Sequence, residues 1–382
     1  MQLQNFTSAA FLRDDWQRQP RLFRQAWPDF EDPIEAELLA GLAMEEGVDA
    51  RVVTLDRATG SWSVEHGPFE DYEAYGEEDW TLLVQSVNEW WPQVQQLLTQ
   101  FRFLPDWRVD DVMVSFAVPG GSVGPHLDQY DVFIIQGSGQ RRWQVGNRAE
   151  LQQHRPHPDL QQLAQPFTPV IDEVLEAGDM LYIPAGCPHH GEALTPSLNF
   201  SIGFRAPAQT ELQAAVADML LDADQAGSRY QDPVAESYGD SWRVSNTQLS
   251  AIKDFLQQQS DPAAFDNALL RVLSMSKRPL PQPELDLEPE QVQVMATDDV
   301  WFCRTPGARL LVTEHGDAYV NGERLEDAAS AAGLVAKLAA TQEDVPAADL
   351  DLRITEHAKL VAQLVNSGAW FFSVDADDVE ES

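Results

Sequence analysis

Gly124–Tyr130 reads GPHLDQY, between the valine-rich run DVMVSFAV (111–118) and the apolar DVFIIQ (131–136). Gly-Pro marks a turn. In an extended chain beyond it, His126 and Asp128 project from one face, because side chains alternate along a strand. The pair is open to two readings: a half-buried ion pair, or two thirds of a metal site. A third ligand has to come from a later strand folded back on the first. YIPAGCPHHGEAL (182–194) offers a strand, a tight turn, then His189 and His190. His-x-Asp with a distant His is a facial triad, which suits Fe(II) and leaves positions free for a bidentate 2-oxo acid and then dioxygen. Spacing does not decide between His189 and His190, which cannot both face inward in an extended chain.

Around this stretch RRWQVG (141–146), MLYIP (180–184) and LNFSIGF (198–204) also read as strands. PGGSVGP, GSG, EAGD and PAGCP read as the turns that bound them. Short strands cut by turns imply a β-barrel or jelly roll. QHRPHPDLQQLAQPFTP (153–169) reads as a polar insertion, and LLVQSVNEWWPQVQQLL (82–98) as a helix kinked or restarted at Pro92. A 2-oxo dicarboxylate needs a cation for its distal end. Arg141 opens a strand and shares a face with Trp143, while Arg142 points away; a guanidinium pairs bidentately with a carboxylate. Alternation aligns His126, Asp128 and Tyr130; Asp111, Met113 and Ser115; and Asn199, Ser201 and Gly203. Polar groups inside a barrel are costly unless they bind something. Ser115 and Asn199 are candidates to help hold the cosubstrate. Asp111, Met113, Tyr130 and Ser201 are candidates to line the entrance for a protein side chain.

GGSVGPHLDQYDVFIIQGSGQRRW, GDMLYIPAGCPHHGEAL and LNFSIGFRAP resemble the bacterial ribosomal oxygenases, most strongly over residues 75–207. These are JmjC-type cupins that hydroxylate an arginine of large-subunit ribosomal protein L-16. The resemblance implies a double-stranded β-helix (the cupin/JmjC jelly roll), an α-helical dimerisation region and a small α+β winged-helix-like C-terminal domain. It implies His126, Asp128 and His189 as iron ligands and Arg141 on the distal carboxylate of 2-oxoglutarate, with dioxygen as the second cosubstrate. It also implies Asp111, Met113, Tyr130 and Ser201 in the arginine pocket, and a homodimer. Related eukaryotic enzymes carry lysine where Arg141 stands, so the arginine points to the bacterial branch. His190 stands where relatives often carry an acid.

The rest of the chain sets bounds. With 382 residues, two or three domains are expected; the pattern divides at 1–207 (catalytic), 208–280 (helical, from ELQAAVADMLLDAD and NTQLSAIKDFLQQQ) and 281–382 (mixed), behind the linker RPLPQPELDLEPE (278–290). Asp and Glu outnumber Lys and Arg 62 to 25, for a net charge of −37 spread over both halves. Such a surface repels nucleic acid and anionic membranes, and steers a basic partner such as a ribosomal protein. No apolar run approaches the roughly twenty residues of a membrane span. No basic, then apolar opening suggests secretion. Two distant cysteines fit a reducing cytoplasm. Two other classes compete: the same oxygenase chemistry on another residue (histidyl or asparaginyl hydroxylation, lysine demethylation), and a non-redox metal-binding cupin. A third, DNA binding by the C-terminal domain, lacks a basic stripe.

Overall fold

The computed structural model describes residues 3–223, 227–231, 244–257, 261–283, 286–295, 297 and 299–374. The chain forms two compact units: one runs to Ala206 and takes in Arg304–Gly307, the other spans Pro207–Cys303 and Ala308–Val374. In the first, α1 (Ser8–Asp14), β1 (Arg21–Phe23), α2 (Ala36–Leu42), β2 (Ala50–Asp56), β3 (Ser61–His66), β4 (Trp80–Val84) and α3 (Pro92–Gln95) precede the barrel strands. These are β5 (Val109–Ala117), β6 (His126–Leu127), β7 (Tyr130–Gln136), β8 (Arg141–Gly146), β9 (Gln153–His157), β10 (Leu160–Leu163), β11 (Pro169–Leu175), β12 (Met180–Ile183), β13 (Pro188–Ala193) and β14 (Ser197–Arg205).

Eight strands form one sheet in the order β1-β12-β7-β14-β5-β4-β2-β3, and four form a second, β11-β8-β13-β6. Alternation along the central strands of the large sheet divides their side chains between two cores. Val112, Val114, Phe133, Ile135, Phe200 and Ile202 pack outward against Phe11, Leu39, Val94 and Phe101 from the N-terminal and connecting segments. Each such buried side chain contributes roughly 1.5–3 kcal/mol. Ile134 and Leu181 point the other way, onto Trp143, Val145 and Leu175 of the small sheet. The site lies on this inner side. The β-barrel or jelly roll read from the strands is present as two sheets closed over a shared core.

Two segments differ from the sequence reading. The helix expected over 82–98 begins instead as β4, buried along its whole length and paired on one side with β2 and on the other with β5. A strand covered on both faces shows no polar alternation, so its apolar run mimics a helix. Ser86, in the left-handed region at φ 55°, ends it before a 3₁₀ turn at Val87–Glu89. The restart at Pro92 holds, with the proline in the first turn of α3. The polar insertion at 153–169 folds largely as the β9–β10 hairpin. Leu160 packs with Val53 and Leu83, while Gln162 Nε2 donates to the Val123 carbonyl and Leu163 N to that of Pro125, both at 2.8 Å. The hairpin thus braces the backbone that leads into His126.

The second unit holds α4 (Gln209–Asp222), α5 (Asn246–Gln257), α6 (Pro262–Ser274), α7 (Pro289–Gln293), β15 (Trp301–Arg304), β16 (Leu310–Val312), β17 (Ala318–Val320), β18 (Glu323–Arg324), α8 (Ala332–Ala340), β19 (Val345–Pro346), α9 (Thr355–Asn366) and β20 (Trp370–Ser373). α6 starts where Asp261 accepts from the Ala263 and Ala264 amides, ahead of Pro262, and packs on α4 and against β17. Phe302, Leu334, Leu338, Leu360, Val361 and Trp370 share one core. α8 and α9 are the helical part of the mixed pattern expected for 281–382. Residues 284 and 285 of the linker, and the ends of both helical stretches at 224 and 258–259, lie outside the described residues.

Candidate metal centre and cosubstrate pocket

The two-residue strand β6 pairs with β13 so that His126 lies opposite His189. Their rings are 4.2 Å apart between centroids. Asp128, just past β6, turns Oδ2 to within 3.8 Å of His126 Nε2 and 3.6 Å of His189 Nε2. One ligand atom from each residue lies within 4.8 Å of the other two. His126 Nδ1 donates to the Gly124 carbonyl at 2.9 Å and His189 Nδ1 to that of Cys187 at 3.0 Å. A carbonyl only accepts, so both rings carry the proton on Nδ1 and offer the Nε2 lone pair inward. Burial, and then the neighbouring His189, lowers the His126 pKa to about 4, so the ring is neutral at neutral pH. Burial pushes the Asp128 carboxyl up, but His126 and then His189 outweigh it and hold the group well below the usual range. Two neutral imidazoles and an ionised carboxylate are a donor set for Fe(II). His190, the neighbour that spacing could not exclude, points elsewhere and lies 3.1 Å from the Ser122 hydroxyl.

Arg141 crosses the barrel interior from β8. Its Nη1 donates to the Ser115 hydroxyl at 3.0 Å and its Nε to the Ser197 hydroxyl at 2.9 Å, while Nη2 meets the carbonyls of both serines at 2.9 Å. Its hydrogen bonds thus go to hydroxyls and carbonyls, and burial lowers its pKa to about 9. Among the described residues no carboxylate pairs with it, and a buried cation held in this way asks for an anion. Asn199, opposite Ser115 in register, is buried with neither Oδ1 nor Nδ2 hydrogen-bonded among the described residues. A carboxylate-bearing guest therefore fits here: it supplies the missing charge and partners for idle amide atoms.

The remaining candidates sit along the same inner face. Met113 pairs in register with Ser201, and its sulfur accepts from Gln85 Nε2 at 3.2 Å. Asp111 is buried, with Oδ2 accepting from the Ser86 amide at 3.0 Å and hydroxyl at 2.9 Å. Tyr130 is exposed at the rim. Sequence reasoning missed Ser197 and Gln85. Ser197 lies two residues before Asn199, so starting that strand one residue earlier would have placed it on the inner face. Gln85 was hidden by the helical reading of 82–98.

The barrel and its inward donor set define the class, a JmjC oxygenase domain, and a family model described as JmjC domain matches residues 96–212. A second model, ROXA-like winged helix, matches 256–371. The chain is 42% identical over 367 residues to the ribosomal protein uL16 3-hydroxylase of Escherichia coli K12, covering 95% of this chain and 96% of that one. It superposes on the crystal structure of E. coli YcfD with a TM-score of 0.88 at 40% identity, covering 98% and 100% of the two chains. It also matches the ribosomal oxygenase YcfD from E. coli in complex with cobalt and 2-oxoglutarate, at a TM-score of 0.85 and 39% identity over 97% and 99%. Cobalt there stands in for the ferrous ion. This chain belongs to the ribosomal oxygenase family, whose cofactor is Fe(II) and whose cosubstrate is 2-oxoglutarate. No described helix is long and apolar enough to cross a membrane.

Proposed function

We propose that the enzyme hydroxylates an arginine side chain of ribosomal protein L-16 (uL16), with His126, Asp128 and His189 as the iron ligands. The observation that carries the reading is the convergence of three inward donors beside a buried arginine that meets no carboxylate among the described residues. Arg141 binds the distal carboxylate of 2-oxoglutarate; Ser115 orients that guanidinium, and Asn199 contacts the guest. Bound ferrous iron supplies dioxygen activation coupled to oxidative decarboxylation of the 2-oxo acid. One oxygen atom enters the substrate C–H bond and the other enters succinate, with carbon dioxide released. The protein's share is geometric: the Nδ1 hydrogen bonds fix the imidazoles, Arg141 fixes the far end of the cosubstrate, and the barrel excludes water. Asp111, Met113, Tyr130 and Ser201 line the approach of the substrate side chain, with Asp111 the natural partner for a guanidinium. Identity over nearly the whole length of a uL16 hydroxylase favours this target over a histidyl, asparaginyl or lysyl one, and the buried Arg141 disfavours a non-redox cupin.

The same reading gives the domains as 1–207, 208–280 and 281–382, places the enzyme in the cytoplasm with its substrate, and makes it a homodimer through the 208–280 helices. The dimer is supported by α5, which buries none of its residues while exposing Leu249, Ile252 and Leu256 at helical spacing. The deciding experiment incubates the protein with Fe(II), 2-oxoglutarate and uL16 under air. Succinate formation with a gain of one oxygen on an arginine is expected. Turnover with oxygen on a different residue would overturn the target, and no turnover would overturn the activity.

A further inference from the structure

Trp143 stands one inward step along β8 from Arg141, and is 8% exposed. Its indole Nε1 is buried without a hydrogen-bond partner among the described residues. The ring is not free to turn away. It lies opposite Gly191 in register, and a Cβ at 191 would come within 2.7 Å of the ring's far edge. Val145, Leu175 and Ile183 share its core, and the His189 ring is 6.2 Å away between centroids. Along β8 the register runs Arg141 opposite Ala193, Trp143 opposite Gly191, Val145 opposite His189. Trp143 is therefore midway between the anion-seeking guanidinium and the metal ligands. Asn199 adds further unpaired polar atoms from the large sheet.

A buried N–H without an acceptor costs free energy, and buried indoles almost always find one. No described residue contributes an acceptor to this N–H, which leaves that place to a guest. A 2-oxo dicarboxylate lying between Arg141 and the metal presents oxygen acceptors along that path. We propose that the Trp143 indole N–H donates a hydrogen bond to bound 2-oxoglutarate, making Trp143 a cosubstrate-binding residue and Gly191 the glycine that lets its ring lie flat. This rests on the cosubstrate reading of Arg141.

The test uses the full chain loaded with Zn(II), which permits binding without turnover. Trp143→Phe should weaken 2-oxoglutarate binding about tenfold by calorimetry, the size of one charge-assisted hydrogen bond, with zinc affinity unchanged. The indole ¹H–¹⁵N resonance that disappears in this variant (or in Trp143→Tyr, if the phenylalanine variant does not fold) should shift when 2-oxoglutarate is added to the wild type. A resonance that stays put while the wild type binds overturns the proposal alone. Wild-type protein that binds no 2-oxoglutarate takes the cosubstrate reading down with it. A Trp143→Phe variant that folds and binds as tightly as wild type assigns the ring a packing role and also overturns the proposal.

Discussion

Arg141 Nη1 and the Ser115 hydroxyl are 3.0 Å apart across the inside of the barrel, so one side chain joins the two sheets and displays a cation between them. Its carbonyl and hydroxyl partners orient the guanidinium without neutralising it.

Removing that cation separates cosubstrate from metal. Arg141→Ala should raise the 2-oxoglutarate dissociation constant by about 10- to 100-fold, the range of hydrogen bonds to charged groups. Mn(II) affinity should change by less than about threefold, a margin well inside one such bond. Calorimetric titration of each in turn checks both. A collapse of metal affinity would mean that Arg141 supports the metal centre rather than the cosubstrate.

The adjacent histidines should behave oppositely. His189→Ala deletes an inward donor, and Mn(II) binding should fall by more than the roughly 10- to 100-fold typical of losing an outer partner. His190→Ala, which loses a contact to Ser122, should bind Mn(II) like wild type. Electron paramagnetic resonance of free Mn(II) reads both directly.

His126 gives the metal-free protein a specific acid sensitivity. Its folded pKa is near 4, against about 6.5 in an unfolded chain. Above pH 6.5 both states are neutral there and the ring exerts no pH effect. Between 6.5 and about 4 the unfolded chain takes up a proton that the fold refuses, so stability falls with pH; below 4 the loss is complete. Urea midpoints across this window should slope less in His126→Asn than in wild type. Equal slopes would contradict the assignment.

Asp131 is fully buried and accepts from Tyr182 at 2.8 Å and Arg108 at 2.9 Å. Asp131→Ala strands the Arg108 charge and should cost about 3–5 kcal/mol of unfolding free energy, measured by denaturant titration. Because β7 starts beside the Asp128 turn, metal affinity should weaken as well.

Leu249→Asp with Leu256→Asp places charge on the exposed face of α5. Sedimentation should then report monomer where wild type reports dimer, with the helical content unchanged. A monomeric wild type would end the dimer reading.

How much of this was legible depended on burial. The strands at 111–118, 131–136, 141–146, 180–184 and 198–204 could be read because turns cut them cleanly and each has an inner and an outer face. Arg141 and Trp143 followed from the same alternation. β4 was illegible because both its faces are covered, and Gln85 went with it. Ser197 was lost to a boundary set one residue late. Which of His189 and His190 faces inward is fixed by pairing with β6, a long-range register that spacing does not carry. The idle Trp143 nitrogen is a three-dimensional fact, since the sequence holds no hint of where its acceptor is missing.

The smallest strand in the barrel has the largest consequence. β6 contributes His126 at the open margin of its sheet and meets β13 over two residue pairs. An ion spanning both strands would work as a rivet at a hem held by so little backbone pairing, so metal loading should favour closure of that hem. Amide exchange at Leu127 and His189 should therefore slow more on metal loading than exchange anywhere in β7 or β14.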